Sequence, residues 1–121
     1  MCLLAIGGTA LSGCSYNSKS WVKYNEEIDL LTSTDKSLFL NAVQSTLESS
    51  PAKKAVPWTN SKGDVAGTVT PIRTVQKNSG VYCRVYDATF NGSEQANVSR
   101  AAACRNSVGV WETIKPTEIG N

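Results

Sequence analysis

At 121 residues the chain has room for one domain plus appendages, and its 40% hydrophobic and 18% charged content suits a folded body, not a disordered chain. The net charge of +2 is spread thinly from Lys19 to Lys115, with no dense basic run, which argues against a nucleic-acid surface. Histidine is absent, and with it go the commonest general base, the commonest metal ligand and every Ser-His or Cys-His nucleophile pair.

Residues 3–11, LLAIGGTAL, are apolar or small, and Leu11-Ser12-Gly13-Cys14 closes the run before the chain turns polar. A secretory leader has this form, an apolar core ending in small residues at the cut. The tetrapeptide resembles the bacterial lipobox, where a Leu and small residues precede diacylglyceryl transfer to a Cys thiol. By that resemblance residues 1–13 are a lipoprotein signal peptide, and Cys14 is the first mature residue and carries the membrane anchor. No Lys or Arg precedes the run, so the usual basic start of a leader is missing. The run is too short to span a bilayer, which takes about 20 apolar residues. Ser15, in place of the Asp that favours inner-membrane retention in enteric bacteria, points to the outer membrane.

Residues 14–33 show no clear period and are expected to form a lipid-anchored tether, with Trp21 and Tyr24 available to dock on the body or on a partner. Glu26, Glu27 and Asp29 cluster there without a glycine turn, so they read as a solvated face, not a cation loop. The folded domain is expected over 34–115. The stretch TDKSLFLNAVQSTLESSP predicts a helix, because Leu38, Phe39, Ala42, Val43 and Leu47 fall on one stripe. Thr34 or Asp35 is its expected cap, and Pro51 ends it.

Beyond the helix the texture is that of strands. Turn residues at Asn60–Asp64 precede alternating β-branched positions, and SGVYCRVYDATF is the strongest strand. It places Val81, Cys83 and Val85 on one face and Tyr82, Arg84, Tyr86 and Phe90 on the other. Asn91-Gly92 marks a turn, after which VSRAAACRN and VGVWETI follow as strands. Three to four linked strands imply an antiparallel meander with the helix covering one face, an α+β fold, and residues 116–121 are left as a tail.

The cysteines stand at 2, 14, 83 and 104, with no CxxC spacing to support a redox or zinc site. A hairpin near 91–95 brings Cys83 and Cys104 opposite one another, so they read most simply as one disulfide. Two free buried thiols are the alternative.

The stretches PWTNSKGDVAGTVTP, SGVYCRVYDATF and AAACRNSVGVWETI, taken in order, resemble the C-terminal domain of the rickettsial-type 17 kDa surface antigens, bacterial lipoproteins. Trp58, Asn60, Gly67, Val69, Pro71, Gly80, Cys83, Arg84, Cys104, Arg105, Gly109 and Trp111 occupy the family's places, and the resemblance covers about residues 36–114. It implies an outer-membrane or surface lipoprotein with no catalytic residues and no cofactor besides the lipid on Cys14. Many members carry a glycine zipper after the lipobox, whereas residues 15–35 contain no glycine.

Four side chains are candidate contacts with a ligand or partner. Arg84 and Arg105 each follow a cysteine and share the face away from it, where they can clamp an anionic group, pair with Asp87 or Glu112, or cover aromatics with their stems. Trp58 and Trp111, together with Tyr82 and Tyr86, offer either an exposed aromatic platform or core. The Asn91 and Asn97 sequons carry no weight in a bacterial protein, and Ser79-Gly80-Val81-Tyr82 only approaches the Ser-Gly-x-x-Tyr loop of periplasmic lysozyme inhibitors. The expected function is a non-enzymatic outer-membrane lipoprotein contacting the membrane and other envelope proteins, without metal or nucleic acid. The alternatives are an accessory subunit of a larger envelope machine and a hydrolase inhibitor.

Overall fold

The structure, a computed structural model, describes residues 16–90 and 98–119. Cys14, the leader and the Asn91-Gly92 turn lie outside the described residues. The expected helix runs over Ser33–Ser49, here α2, and buries Phe39, Val43, Thr46 and Leu47. Its cap is Thr32, two positions before the first expected candidate, and the Thr32 side chain accepts a hydrogen bond from the Asp35 backbone N–H. Thr34 is exposed instead.

The segment expected as a tether is a second helix. α1 covers Tyr16–Asp29 and lies against the sheet. Trp21, Tyr24 and Ile28 recur at spacings of three and four, which puts them on one helical face, and Leu31 follows just beyond its end. Tyr24 is fully buried, and the other three pack against the same core.

Among the described residues five strands, one or two more than expected, form a single antiparallel sheet in chain order. They are β1 (Val56–Thr59), β2 (Ala66–Gln76), β3 (Tyr82–Phe90), β4 (Ser99–Arg105) and β5 (Trp111–Ile114). The first face carries Trp58, Val69, Tyr86, Ala88, Phe90, Ala101, Ala103 and Trp111 under both helices. Phe39 of α2 meets Trp58 and Phe90 at ring centroid distances of 5.2 and 5.1 Å, an aromatic cluster that locks α2 onto β1 and β3.

The second face holds Cys83, Val85 and Ala102 with Ile119 laid over them. The expected tail is therefore part of the fold. Pro116–Glu118 make a 3-10 turn that delivers Ile119, only 2% exposed, to that face.

Two local features set the strand geometry. A bulge between Pro71 and Arg73 shifts the β2–β3 register, so Thr74 beyond it faces the helices as Val69 and Pro71 do before it. Gly67 passes so close to β3 that an added Cβ would stand 1.8 Å from the Thr89 carbonyl oxygen. Glycine is thus required at this position by the close approach of β3.

Candidate functional site

Cys83 and Cys104 are register partners on β3 and β4 and form the expected disulfide. Because side chains alternate along a strand, the bond fixes the next positions, Arg84 and Arg105, on the first face. There they border a shallow groove of about 410 Å³ between the C-terminal end of α2, the β2–β3 hairpin and β5. Glu48, Thr74, Tyr82 and Trp111 also line it.

The two arginines do different things. Arg105 makes a two-pronged ion pair with Glu48, Nε and Nη2 donating at 3.0 and 3.2 Å. That pairing, and the Trp111 indole N–H donated to the same carboxylate at 2.9 Å, hold Glu48 below the usual carboxylate range. Its hydrogen bonds to Glu48 raise Arg105 in turn. Arg84 is only 8% exposed and has no carboxylate partner among the described residues. Its Nε donates to the Thr74 hydroxyl at 2.8 Å and its Nη1 to the Leu47 carbonyl at 2.7 Å, so it caps the last turn of α2. Burial lowers the pKa of this guanidinium.

The pairings with Asp87 and Glu112 that the sequence allows are not made. Asp87 receives both prongs of Arg100, at 2.6 and 3.0 Å, on the second face. Glu112 accepts a hydrogen bond from Asn106. The reason is alternation: Asp87 is an odd number of positions from Arg84 and points through the sheet.

Trp111 belongs to the groove wall but is only 6% exposed. Its backbone N–H and C=O are bracketed by the Gln44 side chain at 2.8 and 2.7 Å, which stands in for a neighbouring strand at the sheet edge. Trp58 is not near the groove and serves as core, stacked edge-on to Phe39 and Phe90. Tyr86, offered as a platform residue, is wholly buried, while Tyr82 remains half exposed. Among the candidates, then, the structure brings together Arg84, Arg105 and Trp111 and sets Trp58 apart.

Asn60 has a purely structural task. Its side-chain oxygen accepts the backbone N–H groups of Gly63, Asp64 and Val65, and its amide donates to Asp35 and Asp64. One side chain thereby closes the β1–β2 turn and ties it to the start of α2. Among the described residues no group of three or more acidic or cysteine side chains is placed to hold a metal. No helix among them is long and apolar enough to cross a membrane.

This scaffold, with its Trp, Asn-turn, Gly crossing and paired Cys-Arg positions, is where comparison with known proteins is informative. The profile of the 17 kDa outer membrane surface antigens matches residues 45–112, more than half of the chain. The chain belongs to the 17 kDa surface antigen family. It is 32% identical over 80 residues to the 17 kDa surface antigen of Rickettsia bellii, covering 66% of this chain and 50% of that one. The Rickettsia prowazekii antigen is 33% identical over 82 residues, with the same two coverages, and the Rickettsia felis antigen 32% over 71 residues, 59% and 45%. The chain thus spans about half the length of the curated relatives it matches. No solved structure matches it significantly. The family span takes in the disulfide, Glu48, both groove arginines and Trp111, and leaves α1 outside.

Sequence reasoning missed Glu48, Gln44 and Thr74. Glu48 and Gln44 lie one turn apart on the polar side of the α2 stripe, so their spacing of four was a usable signal for a shared contact. Thr74 was hidden by the bulge, which no local pattern announces.

Proposed function

We propose that the chain is a lipid-anchored, non-enzymatic component of the bacterial outer membrane that displays a small disulfide-braced domain for contact with other envelope components. Membership in a family described as outer membrane surface antigens carries this reading. The lipobox-like Leu11-Ser12-Gly13-Cys14 supports the anchor, and the absence of histidine from the chain supports a non-enzymatic role. The charged groups on the first face act as fasteners: Glu48 holds Arg105 and Trp111, and Arg84 holds α2.

The geometry adds a consequence for how the domain sits. α1 begins two residues after Cys14 and is fastened to the sheet at Tyr24. From Tyr16 to Tyr24 a helix rises about 12 Å. A lipid on Cys14 would therefore hold the domain close to the bilayer surface, with little slack. The test is incorporation of labelled palmitate into the full chain expressed in a Gram-negative host. Label is expected in the native chain and lost in Cys14→Ala, and label that persists in Cys14→Ala would sink the anchor.

A further inference from the structure

We propose that the Arg84 groove is a binding site for a monoanionic carboxylate carried on an apolar or aromatic body. The inference stands on the groove and is independent of the lipid anchor.

Three arginines lie on β3 and β4. Two of them, Arg100 and Arg105, are matched by two-pronged carboxylates. The third, Arg84, is the most buried and has neutral partners alone, a hydroxyl and a carbonyl. A guanidinium carries five N–H donors, and these bonds occupy Nε and Nη1, which leaves Nη2 without a partner among the described residues, in a side chain that lines the groove. The C-terminal end of α2 offers about half a negative charge to Arg84, so its charge is compensated only in part. Removing a charge from water without a full counter-charge is costly, and an arriving anion relieves that cost.

The groove also selects among anions. Glu48 stands on its wall and is kept ionised by Arg105 and Trp111. Arg84 and Arg105 against Glu48 leave a single positive charge for a ligand to neutralise. One carboxylate meets that need with the planar geometry of the guanidinium edge. A dianionic phosphate would bring a second negative charge beside Glu48, where like charges repel. The body of the ligand is placed by Tyr82, whose half-exposed ring forms the outer lip beyond Arg84. The same disulfide that pins β3 to β4 pins this arrangement, since Arg84 directly follows Cys83 and Arg105 follows Cys104.

The test uses the full chain in detergent micelles, labelled with nitrogen-15, and titrates 3-phenylpropionate, 3-phenylpropionamide and phenyl phosphate at pH 7.5. Saturable shifts of the Arg84 Nε–Hε and Tyr82 signals are expected with the carboxylate, and about tenfold weaker binding with the neutral amide, as fits loss of a hydrogen bond to a charged group. Phenyl phosphate, mostly dianionic at this pH, is expected to bind weakly to the native chain and more tightly to Glu48→Gln. Arg84→Lys is expected to lose about tenfold in affinity because Lys lacks the planar fork. Because Arg84 also caps α2, Tyr82→Ala serves as the variant that keeps the fold; about a threefold loss is expected there, with far-ultraviolet circular dichroism unchanged. Equal shifts with acid and amide, or no saturable shift, would overturn the site. Tighter binding of phenyl phosphate than of the carboxylate to the native chain would overturn its assignment to a monoanion.

Discussion

The Tyr24 and Tyr86 hydroxyls meet at 2.6 Å inside the core, 62 positions apart in sequence, a polar bond within the apolar packing of α1 on the sheet. Burial is the main cause of the raised pKa of both, with Tyr86 pushed up to about 12 and Tyr24 well above its ordinary value of 10.0. Between those limits the folded chain retains protons that the unfolded chain releases. The contribution is therefore complete below pH 10 and is lost as pH rises through about 12. In denaturant titrations the native chain is expected to lose roughly 2 kcal/mol between pH 9.5 and 11.5, within what such a displacement allows. Tyr86→Phe removes one of the two hydroxyls facing that of Tyr24 and leaves Thr113 as the other, which costs about 1 kcal/mol at pH 7. Tyr24→Phe combined with Tyr86→Phe removes both hydroxyls, so the double variant should be more stable than the sum of the singles and nearly insensitive to pH in that range. Simple additivity would mean that the bond contributes nothing.

Among the elements, α1 depends on small residues across from it. β4 presents Ser99, Ala101 and Ala103 on the first face, all fully buried, and α1 lies against that strand. Ala101→Leu is expected to cost about 1 to 3 kcal/mol by overpacking. It should also speed hydrogen exchange of α1 amides while leaving those of β3 protected. Uniform loss of protection would instead mean that α1 and the sheet open as one unit. α1 also marks the boundary of what the sequence makes legible. α2, the β3 alternation, the Cys83–Cys104 pairing and the α+β class are written in local patterns of period 3.6 and 2. The α1 face is written too, as Trp21, Tyr24 and Ile28, but polar residues dilute it and no apolar run surrounds it. The fate of Arg84 and Arg105 was less accessible, because Glu48, Thr74 and Leu47 reach them from other elements. Such pairings depend on helix placement and on the β2 bulge, and both are tertiary facts. Trp58 shows the same limit, since its aromatic partners Phe39 and Phe90 are far away in sequence.

For the molecule as a whole, the disulfide clamps β3 to β4 from the second face of the sheet. On the second face it sits with Val85, Ala102 and Ile119 in a small apolar cluster, much smaller than the core under the helices. A sheet covered by helices on one face alone has limited area to bury, so a covalent constraint on the unfolded chain matters more than in a larger domain. The bond spans 21 positions, and a loop of that size is worth about 3 kcal/mol in the chain-entropy account. Cys83→Ala with Cys104→Ala should therefore lower the denaturation free energy by about 3 kcal/mol, and dithiothreitol should destabilise the native chain by a similar amount while leaving the double variant unchanged. The loss should not stop at stability. Arg84 and Arg105 hold their relative position through the strands that the bond clamps, so the double variant should also show a broadened Arg84 Nε–Hε signal. If stability falls and that signal stays sharp, the β3–β4 ladder alone sets the groove and the disulfide acts only on the unfolded chain.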